Sequence, residues 1–470
     1  MATRGIPDPN SREALLAQIR SALNDRIETL DPSLAEKHPA DIADAIQAFE
    51  AEDLDRVLDL FTLETRADVV TRLADLDEEL TGQFVEDQTV AELVEIVDEM
   101  DPDDAVDLLE VAGDAKAEAV IEQLEADDAE EIRELRRHDS DTAGGIMTTE
   151  YLAARPDETP PQIIERLKLE SDDVETVQTM MICGEDDKLL GVIRAKALLT
   201  ADPAQPVSTV MDRGVVQVVV STDQEACANL MMKYDISVLP VVDEGNRLIG
   251  IITSDDIMDV VEDEAEEDMY RMAGVGDNEP LVHGAMVRAF RRLPWLATTL
   301  LGMGLICPLI LHRWFEATLD QVVVLAFFIP AIMGLSGNTA TQSATITVRG
   351  LATGEIDFGD LFWLIRRELA VATIIAVVCS AAMMVFAYGV TALGFESESA
   401  VFSLGRITAT VGISMFAGII VAVILGTSVP MLCHRLGVDP AVASGPFITT
   451  IIDISTQVIY LALATSLLLQ

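Results

Sequence analysis

The hydrophobic positions divide this chain near residue 291. Behind that point run five long apolar stretches, near Leu293–Leu311, Val322–Val348, Leu369–Leu393, Ile407–Cys433 and Ala441–Leu469. Each approaches the roughly 20 residues that a bilayer-crossing helix needs. Ahead of it the pattern is short-range. Residues 30–138 read as small amphipathic helices with acidic outer faces, and Pro39-Ala-Asp-Ile-Ala-Asp-Ala-Ile46 is echoed by Pro102-Asp-Asp-Ala-Val-Asp-Leu-Leu109. Each copy has a Pro start, early acids and an apolar stripe, as successive helices of a small superhelix would. Residues 141–262 carry a longer repeat. Ile146-Met147-Thr opens one unit and Val210-Met211-Asp the next; Asp187-Lys-Leu-Leu-Gly191 in the first answers Asn246-Arg-Leu-Ile-Gly250 in the second. Strand, turn, strand and helix in each copy predict a pair of small α/β modules.

Two interruptions in the apolar stretches carry the chemistry. Pro330 through Gly337-Asn338 places Pro and Gly inside the second stretch, followed by Thr, Gln and Ser. A helix broken there leaves backbone groups that only neighbouring helices or a water-filled path can satisfy. In the fifth stretch Asp453 is the only acid, and a carboxylate at membrane depth by default marks a route for ions or protons. Together they predict a cation pathway. Anion transport is disfavoured, because no Arg lies near the break.

Charge sharpens the division. The chain carries −49, and about −47 of this falls in residues 1–290. Such a field keeps a domain soluble, attracts cations and repels nucleic acid. Because the excess is spread over every soluble segment, it reads as adaptation to high salt, and an acidic cluster alone has a plain alternative as solvated surface. Asp103 and Asp107 share a helix face at i,i+4 and repel unless a cation or solvent intervenes. Glu262-Asp-Glu-Ala-Glu-Glu-Asp268 reads as either disordered tail-like sequence or a cation-binding edge, and its place just before the first span favours the edge. The five cysteines show neither metal-ligand nor disulfide spacing, the N-terminus lacks a signal-peptide core, and no nucleophile–base pair or Walker-type loop suggests an enzyme. Arg and Lys in the short loops put the N-terminus inside and the C-terminus outside a cell membrane.

The order of these parts resembles the MgtE family of magnesium channels and transporters, from about His38 to Leu469. The residues that carry it are Pro330 with Gly337-Asn338, Asp439-Pro-Ala-Val-Ala-Ser-Gly-Pro446 leading to Asp453, Ala143-Gly-Gly-Ile-Met-Thr148, and the tandem CBS-like repeat. Some relatives carry Asn where Gly445 stands. The resemblance implies a multidomain membrane protein: an extension (1–29), an all-α superhelical N domain (30–138), two α/β CBS domains (139–205 and 206–262), an acidic linker helix (263–291) and a five-span α-helical pore domain (292–470). It implies a homodimer in the lipid bilayer whose pore lies on the two-fold axis, importing Mg2+ past Asp453, Asn338, the Gly337 carbonyl and Asp439. It implies regulatory Mg2+ at Asp103 and Asp107, at Asp223, Glu225, Asp235 and Asp256, and at Glu264, Glu267 and Asp268. ATP is the candidate nucleotide. Gly250-Ile-Ile-Thr253-Ser-Asp-Asp256 matches the ribose-reading turn of CBS domains, whereas Gly191-Val-Ile-Arg194-Ala-Lys-Ala197 lacks its hydroxyl and acid. Asp256 is thus claimed by both metal and nucleotide. Rival readings are a proton- or sodium-coupled magnesium transporter and, more distantly, a CBS-regulated membrane enzyme.

Overall fold

A computed structural model describes residues 9–24, 37–170, 174–275, 285–392, 404–441 and 445–469. Most of the 1–29 extension, part of the linker (276–284), the base-free loop 394–400 and positions 442–444 of the Asp439 motif lie outside the described residues. The chain forms two compact units, Met1–Glu262 and Asp263–Gln470.

The first unit opens with short helices: α1 (Pro9–Asn24), α2 (Pro39–Ile46), α3 (Ala51–Leu58), α4 (Leu63–Leu76), α5 (Glu78–Asp87), α6 (Val90–Val97), α7 (Pro102–Ala112), α8 (Asp114–Ile121) and α9 (Ala126–Leu135). The echoed segments are α2 and α7, and both begin on Pro, where a missing N–H costs no hydrogen bond. Packing runs chiefly between helices two apart, α2 on α4, α3 on α5, α5 on α7, α6 on α8 and α7 on α9, which is a superhelix. Its core includes Ile42, Leu54, Leu73, Phe84, Leu93, Ile96 and Leu108. One of the few lysines closes a helix end: Lys116 Nζ donates to the carbonyls of Val85 (2.5 Å) and Glu86 (3.0 Å) in the last turn of α5 and of Gln88 (2.5 Å) just past it.

The repeat that follows is two copies of one sheet. In the first, β1 (Ala153–Ala154), α10 (Pro160–Leu169), β2 (Thr179–Cys183), β3 (Leu189–Arg194) and α11 (Ala195–Thr200) give strand order β1-β2-β3. In the second, β4 (Val218–Val219), α12 (Gln224–Tyr234), β5 (Val238–Val242), β6 (Leu248–Thr253) and α13 (Ser254–Ala273) give β4-β5-β6. Each sheet has one parallel and one antiparallel pair, and the register slips at matching points, Ile182/Cys183 and Val241/Val242. The opening segments cross over: Thr148 pairs with Ile251 of the second sheet, and Asp212 with Val192 of the first. Gly250 permits that approach, since a Cβ there would lie 2.8 Å from the Thr148 carbonyl.

The acidic linker does not begin a new element at residue 263. It is the C-terminal half of α13, which starts at Ser254 in the second sheet's own β-α turn.

Among the described residues the second unit contains five helices of membrane length and apolarity, over Arg292–Gln321, Val323–Ala352, Phe358–Val390, Leu404–Arg435 and Pro446–Leu468. The first span joins α14 (Ala285–Leu301) through one π-turn, Gly302–Ile306, to α15 (Cys307–Gln321). The others are α16 (Ile329–Ala352), α17 (Leu361–Ala392), α18 (Leu404–Arg435) and α19 (Pro446–Leu468). The fourth is the most enclosed, with α16, α17 and α19 packed around it.

The expected break at Gly337-Asn338 is not there. Pro330 stands at the first turn of α16, where it is tolerated, and the helix runs unbroken through Gly337 and Asn338. The irregular backbone lies upstream, a 3₁₀ stretch over Val323–Phe328. The buried Tyr460 hydroxyl donates to the Leu325 carbonyl there at 2.9 Å.

Candidate functional site

Gly337 has a different use. A Cβ on it would lie 3.6 Å from Asp453 Oδ1, so the acid of α19 lies against the bare backbone of α16. The Gly337 carbonyl accepts from Thr341 Oγ1 at 3.0 Å. Asn338 is exposed on α16, as are Thr341, Gln342 and Thr345. These positions, i, i+3, i+4 and i+7, make one polar stripe on a helix of membrane length, facing away from its own bundle.

Asp439 lies between α18 and α19 and is held on both oxygens. Oδ1 accepts the Ala441 amide at 2.7 Å, and Oδ2 pairs with Arg271 at 2.6 Å. Arg271 also pairs with Glu267 one turn back on α13. Asp268 is next to this pair; burial, then Asp439 and Glu264, pushes its carboxyl up to about 6. The structure therefore brings Asp268 beside Asp439 and Glu264, while Arg271, a cation that does not stand out in the sequence, bridges Glu267 to Asp439. Gly445 fits under the end of α13, where a Cβ would lie 3.0 Å from the Met272 carbonyl.

In the first unit Asp103 meets Asp256. Asp103 Oδ1 is enclosed and has no hydrogen-bond partner, although the residue keeps part of its surface. Burial, then the neighbouring acids Asp104, Asp256 and Glu175, raises its carboxyl well above the usual range. Glu175 has an enclosed oxygen without a partner as well, and burial followed by Asp256 lifts it to about 7. One carboxylate oxygen each from Glu175, Asp255 and Asp256 falls within 4.8 Å of the others. Thr253 Oγ1 lies 2.6 Å from Asp255 Oδ1 and 2.7 Å from Asp256 Oδ2, and interacts with Glu175 too. One hydroxyl proton cannot serve three carboxylates. Orphaned oxygens beside crowded acids suit a hard cation, which takes several carboxylate oxygens. Asp101 belongs to the same region, raised by burial and then Asp255. Glu175, Asp255 and Asp101 were not legible as site residues; the adjacency of Thr253, Asp255 and Asp256 was the only signal.

Other expected ligands do not converge. Asp107 is exposed one turn along α7 from Asp103. Asp223 caps α12, accepting the amides of Glu225 (3.0 Å) and Ala226 (3.4 Å), and lines an open cleft with Glu110, His138 and Asp141. Asp235 ends the same helix in the left-handed region, with φ 51°. The ends of α12 are about 16 Å apart by helical rise, so Asp223 and Glu225 cannot share one ion with Asp235.

Five membrane-length helices among the described residues, one of them carrying a half-buried carboxylate, joined to a unit with its own cluster of acids, define a polytopic membrane protein that handles cations. Family models agree: residues 329–463 match MgtE, described as a divalent cation transporter, 37–141 the MgtE intracellular N domain, and 207–263 a CBS domain. The chain is 32% identical over 458 residues to the magnesium transporter MgtE of Bacillus subtilis, covering 97% of each chain. It is 37% identical over 343 residues to that of Thermus thermophilus, covering 72% of each. It is also similar to a crystal structure of the cytosolic domain of the Mg2+ channel MgtE in complex with ATP, at 32% identity and TM-score 0.48, over 52% of this chain and 99% of that one. The chain belongs to the MgtE family of magnesium transporters.

Proposed function

We propose that the protein is a Mg2+-selective channel of the cell membrane, importing magnesium and closed by magnesium bound on its cytoplasmic side. The observation that carries this reading is Asp453, whose carboxylate lies against Gly337 of α16. Magnesium sheds water reluctantly, so a pair of such acids from two subunits would hold it through its waters. The exposed stripe from Asn338 to Thr345 supports a homodimer, because polar residues on a membrane helix face a partner or an aqueous path. We place the pore on that two-fold axis, the soluble parts in the cytoplasm, the C-terminus outside and Asp439 at the inner mouth.

Regulatory magnesium is assigned to Asp103, Glu175, Asp255 and Asp256 in the first unit, and to Glu264, Glu267, Asp268 and Asp439 in the second. Asp107, Asp223, Glu225 and Asp235 remain secondary ligands. Asp256 goes to the metal, since the turn of Gly250, Thr253 and Asp256 already faces two acids from outside it, a poor surroundings for a triphosphate. ATP would bind there only with the acids neutralised. We keep the N domain at 30–138, the CBS domains at 139–205 and 206–262 and the pore domain at 292–470 as part of this proposal, and read the acid-rich soluble surface as adaptation to high salt.

The test against a proton- or sodium-coupled transporter is current in proteoliposomes holding only a magnesium gradient. A channel reverses at the magnesium equilibrium potential; reversal that moves with pH or sodium overturns the reading.

A further inference from the structure

The π-turn in the first span has a partner on α19. Thr450 Oγ1 lies 3.3 Å from Thr299 Oγ1, and the buried Cys307 thiol donates to the buried Gln457 Oε1 at 2.8 Å. Between these contacts α19 advances seven residues while the first span advances eight. A π-turn absorbs one extra residue, and Gly302–Ile306 supplies it at this point. Without it Ile306 would stand opposite Gln457. Gly302 makes the approach feasible, since a Cβ there would overlap Thr450 Cγ2 at 2.1 Å. Asp453 lies between Thr450 and Gln457, three residues past one contact and four before the other. Farther along, Thr318 and Thr465 are joined at 2.7 Å.

We propose that the first span is a register clamp, with Cys307 and Gln457 as positioning residues that fix the height and rotation of the Asp453 carboxylate. Neither touches the ion; they act through the helix that carries it. The effect on transport rests on the reading of Asp453 as the selectivity acid.

The test uses the full chain in proteoliposomes, with magnesium influx measured for wild type, Cys307→Ala, Cys307→Ser, Gln457→Leu, the Cys307→Ala/Gln457→Leu pair and Asp453→Asn. Each single loss of the bond should raise half-saturating magnesium by about three- to tenfold, the range of one hydrogen bond, with maximal rate within twofold. The pair should be no worse than either change alone, because the two side chains act as one contact. Cys307→Ser, which keeps a donor, should stay within about twofold of wild type. Additive losses, a fall in maximal rate alone, or a Ser variant as poor as Ala would overturn the clamp. A second measurement is independent of Asp453. Gln457→Cys should form an oxidant-induced disulfide from position 457 to Cys307, mapped by mass spectrometry. No such disulfide, with Asp453→Asn impaired, overturns the clamp. The disulfide present with Asp453→Asn unimpaired overturns the Asp453 reading and leaves the register intact.

Discussion

Replacing Asp103 by Asn should move the first unit in opposite directions with and without magnesium. Asn keeps the shape of Asp103 but removes a charge whose Oδ1 is enclosed, without a partner, and near Asp256 and Glu175. In chelator the wild-type carboxylate bears desolvation and repulsion together, and high salt screens enclosed pairs little. Relieving an unsatisfied buried group amounts to about 1–3 kcal/mol. Amides of α7 in Asp103→Asn should therefore exchange with deuterium roughly 5- to 150-fold more slowly than wild type in EDTA. Magnesium should act the other way, favouring wild type. A ligand at 100 times its Kd stabilises by about 2.7 kcal/mol, so wild-type protection should grow about 100-fold, and the variant should gain far less. The assay is hydrogen exchange of the full chain in concentrated KCl with EDTA or millimolar Mg2+. Faster exchange of the variant in EDTA would mean that Asp103 is a hydrogen-bonded structural acid. An undiminished gain with magnesium would remove it from the site.

Further expectations follow from single contacts. Burial and Asp256 hold Glu175 up near 7, so below that pH a proton occupies the oxygen that magnesium needs. Magnesium protection of residues 174–183 should weaken from pH 8 to pH 6, while stability in EDTA rises over the same interval, because the folded state there binds protons the unfolded state does not. A flat profile would contradict the cluster. Lys116→Met leaves three carbonyls at the C-terminal end of α5 without their ammonium donor; the N domain should lose about 1–3 kcal/mol of stability, and an unchanged thermal midpoint would refute the contact. Arg271→Gln removes the bridge between Glu267 and Asp439. The acids left facing one another should then need a cation more, so half-maximal closure should come at a lower magnesium concentration; closure at a higher concentration would make Arg271 part of the closing contact itself.

Much of this protein is written in its pattern. The five spans are legible because a bilayer demands long apolar runs, and Asp453 because one acid stands out in such a run. The sheet repeat is legible from Gly191 and Gly250, each the third residue of a matching strand. The soluble cation cluster was only half legible. Asp103 and Asp256 could be named by resemblance, but Glu175 reaches the cluster from a loop placed by tertiary structure, and among so many acids no single one has contrast. Pro330 and Gly337 misled for a physical reason: Pro is harmless in a first helical turn, and a Gly inside a helix can serve close approach as well as bending. The π-turn has no reliable sequence signature, since Gly302-Met-Gly304 fits an ordinary helix packed closely against a neighbour. Arg271 offered one clue, its i,i+4 spacing from Glu267, which a chain full of acids conceals.

The central claim is that Asp453 selects the ion. Single-channel recording with Mg2+ as the charge carrier, on wild type and Asp453→Ala, tests it most directly. Wild type should show unitary magnesium currents that persist against excess K+. Asp453→Ala, folded and inserted, should lose that discrimination and pass monovalent ions. Equal magnesium selectivity in the two proteins would contradict the account.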